Sequence, residues 1–421
     1  MTEKVLVIGG GPAGLTAAKT LVDSQMEVVL VERDETLGGM ARELACKGVS
    51  ECRNCGVCYV IDRAGEVVRS PSIETLLRSE VVSVQRRDTG FRVKIKTSPR
   101  YVTGQCIDCG KCTEACPVEG KAIFPPTGSG QPRTYWIDRA KCLHFKKAKC
   151  SKCADICPTK AVDYDDRARN ITRDVSTIVY ATGIEPVDAG EVSRLGYGRV
   201  PDVISSVDAE RTLNDDGRLL RPSDGTPPKR VAIVQCVGSR NEKTGVEYCS
   251  KFCCKYGSKI AQALMDIDPE IDLDFYFMDL RTLYEPQDDF KEWAKSKKKK
   301  VGKKTVPQVR LIRSMPAQVF QGDGKVLLRS SGETDLEVIE EPYDLVILSV
   351  GMRPQKGPEE LLTSLGLGLD PYGFVKCGDA QTGGSVIVLG AVCEPMDIEE
   401  AVTRGIATAA SVARSKEEVG R

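Results

Sequence analysis

The chain has 421 residues, and its 60 Lys plus Arg balance 60 Asp plus Glu. That length suggests two to four domains or one large fold with insertions, and zero net charge removes any bulk electrostatic reason to expect nucleic acid or an acidic membrane as partner. The opening MTEKVLVIGG lacks a signal-peptide design and the apolar runs are far shorter than the about 20 residues of a membrane span, so the 18 cysteines are expected in a reducing cytoplasm. There clustered thiols mean metal or redox work rather than structural disulfides.

Lys4–Ile8 (KVLVI) reads as a buried strand, 12–22 as an Ala- and Leu-rich helix, and Glu27–Val31 (EVVLV) as a second strand. Residues 67–96 mix short β-branched strands with polar turns. From Arg100 to about Val162 a cysteine-rich block interrupts the pattern. Residues 177–181 (TIVYA) form another strand, and RPSDGTPPK (221–229) is a Pro/Gly-rich connector. A second strand-then-helix unit starts at 231–235. A strand at 272–278 and a helix at 288–295 follow. The lysine run ending at Lys304 reads as a solvated loop, with docking of an acidic electron partner as the alternative. Strands at Leu345–Val350 and 386–389 precede a closing helix at 398–412. Such alternation predicts an α/β fold with mostly parallel sheets.

Gly9, Gly11 and Gly14 form G-x-G-x-x-G directly between the first strand and its helix. Gly9 permits the tight turn, Gly11 lets backbone N–H groups approach a pyrophosphate, and Gly14 lets helix and strand pack closely. Glu32 ends the second strand, where a carboxylate accepts ribose hydroxyls. This predicts dinucleotide binding.

Cys106, Cys109, Cys112 and Cys116 follow C-x2-C-x2-C-x3-C-P, the spacing that shares ligands between two iron–sulfur cubes. Cys142, Cys150, Cys153 and Cys157 repeat it with a longer first interval. One [4Fe–4S] cluster is assigned to Cys106, Cys109, Cys112 and Cys157, the other to Cys142, Cys150, Cys153 and Cys116. Zinc is the alternative, but its motifs pair CxxC units without this rhythm. His144, the only histidine, lies inside the longer interval. It reads as a surface loop residue, with hydrogen bonding to a cluster sulfur as the alternative.

Two further sets do not follow the ferredoxin pattern. Cys46, Cys52, Cys55 and Cys58 could hold a cluster, a redox thiol pair or zinc. Cys236, Cys249, Cys253 and Cys254 read, on their residues alone, as buried thiols packed like small apolar side chains. Cys377 and Cys393 stand alone and read as structural, although Cys393 could line a flavin.

GGGPAGL (9–15 with its neighbours) and VERDETLGGM (31–40) resemble the FAD-binding start of two-dinucleotide flavoproteins of the thioredoxin reductase and glutathione reductase type. Thr182 and Gly183 look like that family's ATG turn, Ser349-Val350-Gly351 like its second copy, and the end from Val386 like its return segment. The resemblance implies flavin contacts from Gly9, Gly11, Pro12, Ala13, Gly14, Glu32, Arg33, Gly39, Thr182, Gly183, Gly390 and Ile398. Ala391 stands where the family has an acidic residue. VQCVGSR, YCSKFCCKYGSKIA and FYFMDLRT are similar to the A-type flavin subunit of heterodisulfide reductase. That resemblance covers nearly the whole chain and implies that Cys236, Cys249, Cys253 and Cys254 ligate another cluster.

It implies a thioredoxin-reductase-like flavoprotein with an inserted two-cluster ferredoxin domain. The expected division is FAD-binding 1–99, ferredoxin insert 100–165, FAD-binding 166–228, a second Rossmann-like unit 229–355 and the FAD-binding return 356–421. It implies FAD with two [4Fe–4S] clusters and up to four. Electrons would pass to partner subunits of a heterodisulfide reductase-like complex and to ferredoxin or a similar carrier, with flavin-based bifurcation open. A homodimer also stays open. Methanogen members end in a further ferredoxin module, so ending at Arg421 implies that one electron exit is absent or supplied by a partner. The flavin ring is the reactive group, and no acid–base residue is named.

The second unit, VAIVQCVGSRNE, lacks G-x-G-x-x-G where a pyridine nucleotide would sit, and no CxxC disulfide of the thioredoxin reductase kind appears. The alternative is an NAD(P)H-dependent oxidoreductase resembling the small glutamate synthase subunit. A non-enzymatic scaffold would leave the intact Gly9–Gly14 pattern with Glu32 without a purpose.

Overall fold

The computed structural model describes residues 4–125, 134–281, 287–332, 337–376 and 386–419. β-branched runs bounded by turns build two five-stranded sheets. The first runs Val386–Val388, Thr177–Tyr180, Lys4–Ile8, Glu27–Val31, Ile73–Leu76, and every adjacent pair is parallel. The second runs Val203–Ser205, Leu345–Val350, Arg230–Val237, Asp272–Tyr276, Val309–Ile312, again all parallel. Parallel strands covered on both faces read as continuous apolar runs, and Leu6, Val29, Ile347 and Leu348 are fully buried. The α/β class expected from the sequence is the one adopted.

In each sheet the central strand leads into a long helix, Pro12–Asp23 in the first and Cys253–Ile267 in the second. Ligands in such sheets bind beyond the C-terminal ends of the strands, where the order reverses.

Each sheet is accompanied by an antiparallel three-stranded meander. The first consists of Ser79–Arg87, Gly90–Thr97 and Arg169–Val175; the second of Gln318–Gly322, Lys325–Ser331 and Val338–Tyr343. Strict alternation explains the choice: Phe91, Val93 and Ile95 are buried while Arg92, Lys94 and Lys96 are exposed. The cysteine-rich segment leaves at Thr97 and returns at Arg169, and these two residues are register partners. Its ends therefore meet, and the sheet is undisturbed by what lies between them.

The two sheet units are joined by a short antiparallel pair, Ile184–Pro186 with Met352–Pro354. The closing helix Ile398–Val419 packs on Pro12–Asp23. Gly405 permits this approach, because a Cβ there would lie 2.9 Å from the Ala13 carbonyl oxygen.

Some local expectations are corrected. Val67 belongs to the helix Val57–Arg69, not to a strand region; Val57, Val60, Ala64 and Val67 form its buried face. The cysteines at its start obscured that helical spacing. The lysine run is not a loop but a hairpin, Lys298–Val301 against Lys304–Pro307. Cys393 does not stand alone, since it is disulfide-bonded; Cys377 lies outside the described residues.

Candidate functional site

The glycine turn meets the geometry its spacing requires. Gly9 has φ +107°, and a Cβ there would lie 2.3 Å from the Ala181 carbonyl oxygen. At Gly14 a Cβ would lie 1.9 Å from the Gly9 carbonyl oxygen. A side chain at Gly9 would push against the neighbouring strand's end, and one at Gly14 would force the helix off the turn. At Gly11 a Cβ would meet nothing within 4 Å, because this residue faces open space. It caps the helix Pro12–Asp23, whose first position is proline. The N–H groups of that first turn have no helical partner and suit an anion.

That open space is a cavity of about 1220 Å³. Gly9, Gly11, Pro12, Ala13, Glu32 and Arg33 line one side of it. Gly39, Thr182, Gly183, Gly390 and Ile398 line the others. Of the residues expected to contact flavin, only Gly14 is not in the lining, in keeping with its packing role. Drug-sized ligands occupy cavities of roughly 300–1000 Å³, so this one has room for a dinucleotide.

Glu32 is 7 % exposed and accepts from the Gly10 N–H at 2.7 Å and the Asp34 N–H at 2.9 Å. Burial pushes its carboxyl up, and the two N–H groups hold it back only in part. Hydroxyl donors arriving on its remaining lone pairs would favour the ionised form. Gln355 was not anticipated: with its amide oriented to suit its neighbours, it donates to the Thr182 carbonyl oxygen at 2.7 Å and accepts from Arg33. It ties the second unit's exit strand to the flavin side. Nothing in a lone Gln after Pro354 announces this. The donor set, the open glycine and the buried carboxylate fit an FAD adenosine and pyrophosphate.

In the cysteine-rich segment, the short helices Lys111–Ala115 and Lys152–Asp155 pack together. Cys116, Cys142, Cys150 and Cys153 line one small apolar pocket, together with Ile123, Ile137 and Tyr164. This is the quartet assigned to the second cluster. Cys106, Cys112 and Cys157 pack against the same core, while Cys109 is exposed. Backbone N–H groups already point at sulfur, from Ala122 to Cys116 at 3.4 Å and from Ala161 to Cys157 at 3.3 Å. Burial pushes the Cys112 thiol up to about 11, aided by the nearby Cys106 and Cys153.

His144 is not a plain surface residue. Its ring is half-buried and stacks on Tyr164 with centroids 3.6 Å apart, and its Nδ1 lies 3.0 Å from the Cys150 carbonyl oxygen. The Tyr164 hydroxyl is 2.9 Å from Cys153 Sγ. The side-chain partner of this sulfur is thus the Tyr164 hydroxyl, with His144 stacked on its ring.

The set at Cys236, Cys249, Cys253 and Cys254 sits where the second sheet's nucleotide turn would be. Cys236 has φ +58° at an irregularity near the end of Arg230–Val237, and Arg240 and Lys251 also have positive φ. Such backbone strain in non-glycine residues clusters at functional sites. Cys236, Cys253 and Cys254 are buried. Burial pushes the Cys253 thiol well up and Cys254 up to about 11, with mutual repulsion among the four adding to it. Arg240 and Arg281, both paired with Asp279, lie beside Cys236 and Cys249. Crowded thiols with cationic neighbours are a donor set that suits bound iron. In place of a glycine turn, residues 238–252 form a long loop with its own 3-10 turn.

Cys46, Cys52, Cys55 and Cys58 all line the large cavity. Cys46, Cys52 and Cys58 are exposed. Gly56 sits against Ile398 of the closing helix. The loop is pinned to the second unit. Lys47 Nζ lies 2.5 Å from Glu210 and both side chains are buried; the Ala45 N–H donates to the same carboxylate at 2.7 Å. Lys259 donates to the Asn54 carbonyl oxygen at 3.0 Å. This set therefore abuts the same cavity as the glycine turn. Among the described residues, no three Cys, His, Asp or Glu groups are arranged to hold a single metal ion.

The chain belongs to the pyridine nucleotide-disulphide oxidoreductase family, which it matches over residues 3–405. It is an oxidoreductase of flavoprotein fold. The resemblance to the A-type subunit of heterodisulfide reductase is borne out by curated relatives. The chain is 34 % identical over 98 % of its length to the A-type component of the H(2):CoB-CoM heterodisulfide,ferredoxin reductase of Methanothermobacter marburgensis, covering 63 % of that protein. It is 33 % identical over 97 % of its length to the A-type iron-sulfur component of the CoB–CoM heterodisulfide reductase of Methanocaldococcus jannaschii, covering 64 %. It thus spans less than two thirds of these relatives. Among solved structures it resembles the thioredoxin reductase of T. acidophilum, with TM-score 0.51, 16 % identity, and 98 % and 99 % of the two chains covered. The thioredoxin reductase of Lactococcus lactis gives 0.51 and 15 %, with 98 % of each chain covered. These likenesses are of fold alone.

Proposed function

We propose that this chain is the flavin and iron–sulfur subunit of a cytoplasmic heterodisulfide reductase-like complex, moving electrons between FAD, [4Fe–4S] clusters, partner subunits and a ferredoxin-like carrier. The observation that carries this reading is one cavity lined at once by the glycine turn, by Glu32 and by four cysteines. A flavin exchanges electron pairs and an iron–sulfur cube single electrons, so their union permits a pair to be split.

The chain's own residues have separate tasks. Gly11 and the helix start at Pro12 hold the pyrophosphate, and Glu32 takes the ribose. Thr182, Gly183, Gly390 and Ile398 shape the ring end. Cys106, Cys109, Cys112 and Cys157 hold one cluster, and Cys116, Cys142, Cys150 and Cys153 the next. The sets at 46–58 and 236–254 hold two more. The working division is FAD-binding 1–99, 166–228 and 356–421, ferredoxin insert 100–165 and second unit 229–355, corrected at one border because the strand Val203–Ser205 and the helix after it, with Glu210, join the sheet of the second unit.

The test is to purify the chain without oxygen and measure iron, acid-labile sulfide and FAD per polypeptide. About sixteen irons with one FAD are expected, at four per cube. About eight would reduce 46–58 and 236–254 to thiol sites. Fewer, or no FAD, would overturn the reading. The family's description names a pyridine nucleotide, so a second reading is direct NAD(P)H oxidation. Bleaching of the flavin by NADH alone would establish it; the long loop at 238–252 favours no bleaching.

A further inference from the structure

The lysine run has no part in the site above, yet it lies beside it. Lys298–Val301 and Lys304–Pro307 pair as an antiparallel hairpin that turns at Gly302, φ +60°. Lys299 is held by Asp272 at 2.5 Å, and Lys297 lies over the Trp293 ring at 5.5 Å. Lys298, Lys300, Lys303 and Lys304 are exposed and have no acidic partner among the described residues. Val301 stands 57 % exposed among them.

These charges are a local choice, because the chain as a whole is neutral and Lys299 next to them is paired. Packed like charges repel and return no stability to the fold. They do raise the rate and specificity with which an acidic surface docks.

Asp266 stands at the end of the helix Cys253–Ile267, just before Pro269 and Ile271, whose carbonyl oxygens accept from the hairpin's exit residue Gln308 at 2.6 and 2.9 Å. It accepts from Ser50 Oγ at 2.8 Å and from Arg53 at 2.6 Å. Burial raises its carboxyl, but those two hydrogen bonds and the charges of Arg53 and Lys297 hold it low. The base of the hairpin therefore rests against the same helix end that holds the segment carrying Cys52 and Cys55. Cys46, Cys52 and Cys58 are exposed there and also line the flavin cavity. The hairpin thus offers unpaired ammonium groups and an apolar tip, and the loop held at the same helix end offers solvent-accessible thiols that line the cavity.

We propose that the hairpin is the docking face for a small acidic electron-carrier protein, seated so that its redox centre lies against the 46–58 loop. This rests on the proposed function, in which that loop holds an electron-carrying group. Nucleic acid would meet the same charges but would make no use of the exposed thiols.

The test titrates the oxygen-free holoprotein with an acidic two-cluster bacterial ferredoxin, by calorimetry, at low and high salt. Binding is expected to weaken about tenfold or more in the variant K298E/K300E/K303E/K304E and in high salt. Iron, FAD and melting temperature should match the parent in that variant. If it fails to fold, the corresponding Gln variant replaces it, with a smaller loss in the same direction. Equal affinity of parent and variant would overturn the docking face. Parent that holds iron on the 46–58 cysteines but does not bind the ferredoxin would also overturn it, and the proposed function would stand. Iron missing from those cysteines strikes the proposed function instead, and salt-sensitive ferredoxin binding lost in the variant would still support the face. Tighter binding of a short DNA duplex than of the ferredoxin would reject an acidic protein as partner.

Discussion

The two parallel sheets have the same plan but opposite contents at their central turn. In the first, Gly9 to Gly14 make the shortest passage from strand to helix, and the helix start opens on a cavity. In the second, a long loop intervenes, Cys236 is strained into a positive φ, and Cys253 and Cys254 open the helix. One architecture thus presents N–H groups to an anion and, repeated, presents thiols. What changes the chemistry is the length and residue content of one turn, not the layers around it.

The sharpest way to break the comparison is to damage each turn separately. Gly11→Val fills open space, not protein, so the fold should persist while FAD affinity falls about 100-fold, roughly 2.7 kcal/mol. Cys253→Ser should leave FAD in place and remove about four irons per chain. Absorbance at the flavin band and iron analysis read the two losses. Loss of both cofactors in both variants would mean that the turns do not act independently.

The largest effect on stability itself is expected at the clamp between the units. Lys47 and Glu210 form a buried pair in which burial raises the carboxyl and Lys47 opposes that. Removing one partner leaves an uncompensated buried charge, so Lys47→Met should cost about 3–5 kcal/mol. Lys47→Met with Glu210→Leu should recover most of it. Chemical denaturation of the four members of the cycle checks this, and an unchanged single variant would refute the clamp.

A smaller effect is expected at Glu32. Its raised carboxyl means that the folded apo-protein binds this proton more tightly than the unfolded chain does. Above that raised pKa the ionised carboxylate costs apo-protein stability, and Glu32→Gln relieves the cost. FAD needs the ionised acceptor, so its affinity should be full above the raised pKa and fall as pH drops through it. In Glu32→Gln the affinity at neutral pH should be about 1.5–3 kcal/mol weaker and flat with pH. FAD titrations of the apo-protein between acid and neutral pH decide this.

The smallest effect concerns Tyr164. With the proposed cluster bound, a hydrogen bond from its hydroxyl to Cys153 would favour the more negative, reduced state. A net bond of about 1 kcal/mol corresponds to about 40 mV for one electron. Tyr164→Phe should lower one cluster's potential by that order in a redox titration followed by EPR. No shift would show that the sulfur is insulated from the hydroxyl.

The parallel α/β plan, the glycine turn with Glu32 and the ferredoxin spacing were all legible in the sequence. Each rests on local periodicity or on ligands a few residues apart, where chain geometry leaves little freedom. Continuous apolar runs such as Leu345–Val350 could be little else than buried strands. What distant segments do to one another was settled only by folding. Packing set the 46–58 cysteines on the cavity of the glycine turn, where Lys47 finds its partner 163 residues away in Glu210. It placed Gln355 between Arg33 and Thr182, stacked His144 on Tyr164, and turned a lysine run into a hairpin beside exposed thiols. Spacing along a chain constrains neighbours, whereas buried charge pairs and cavities are made by whichever surfaces the packed sheets bring together.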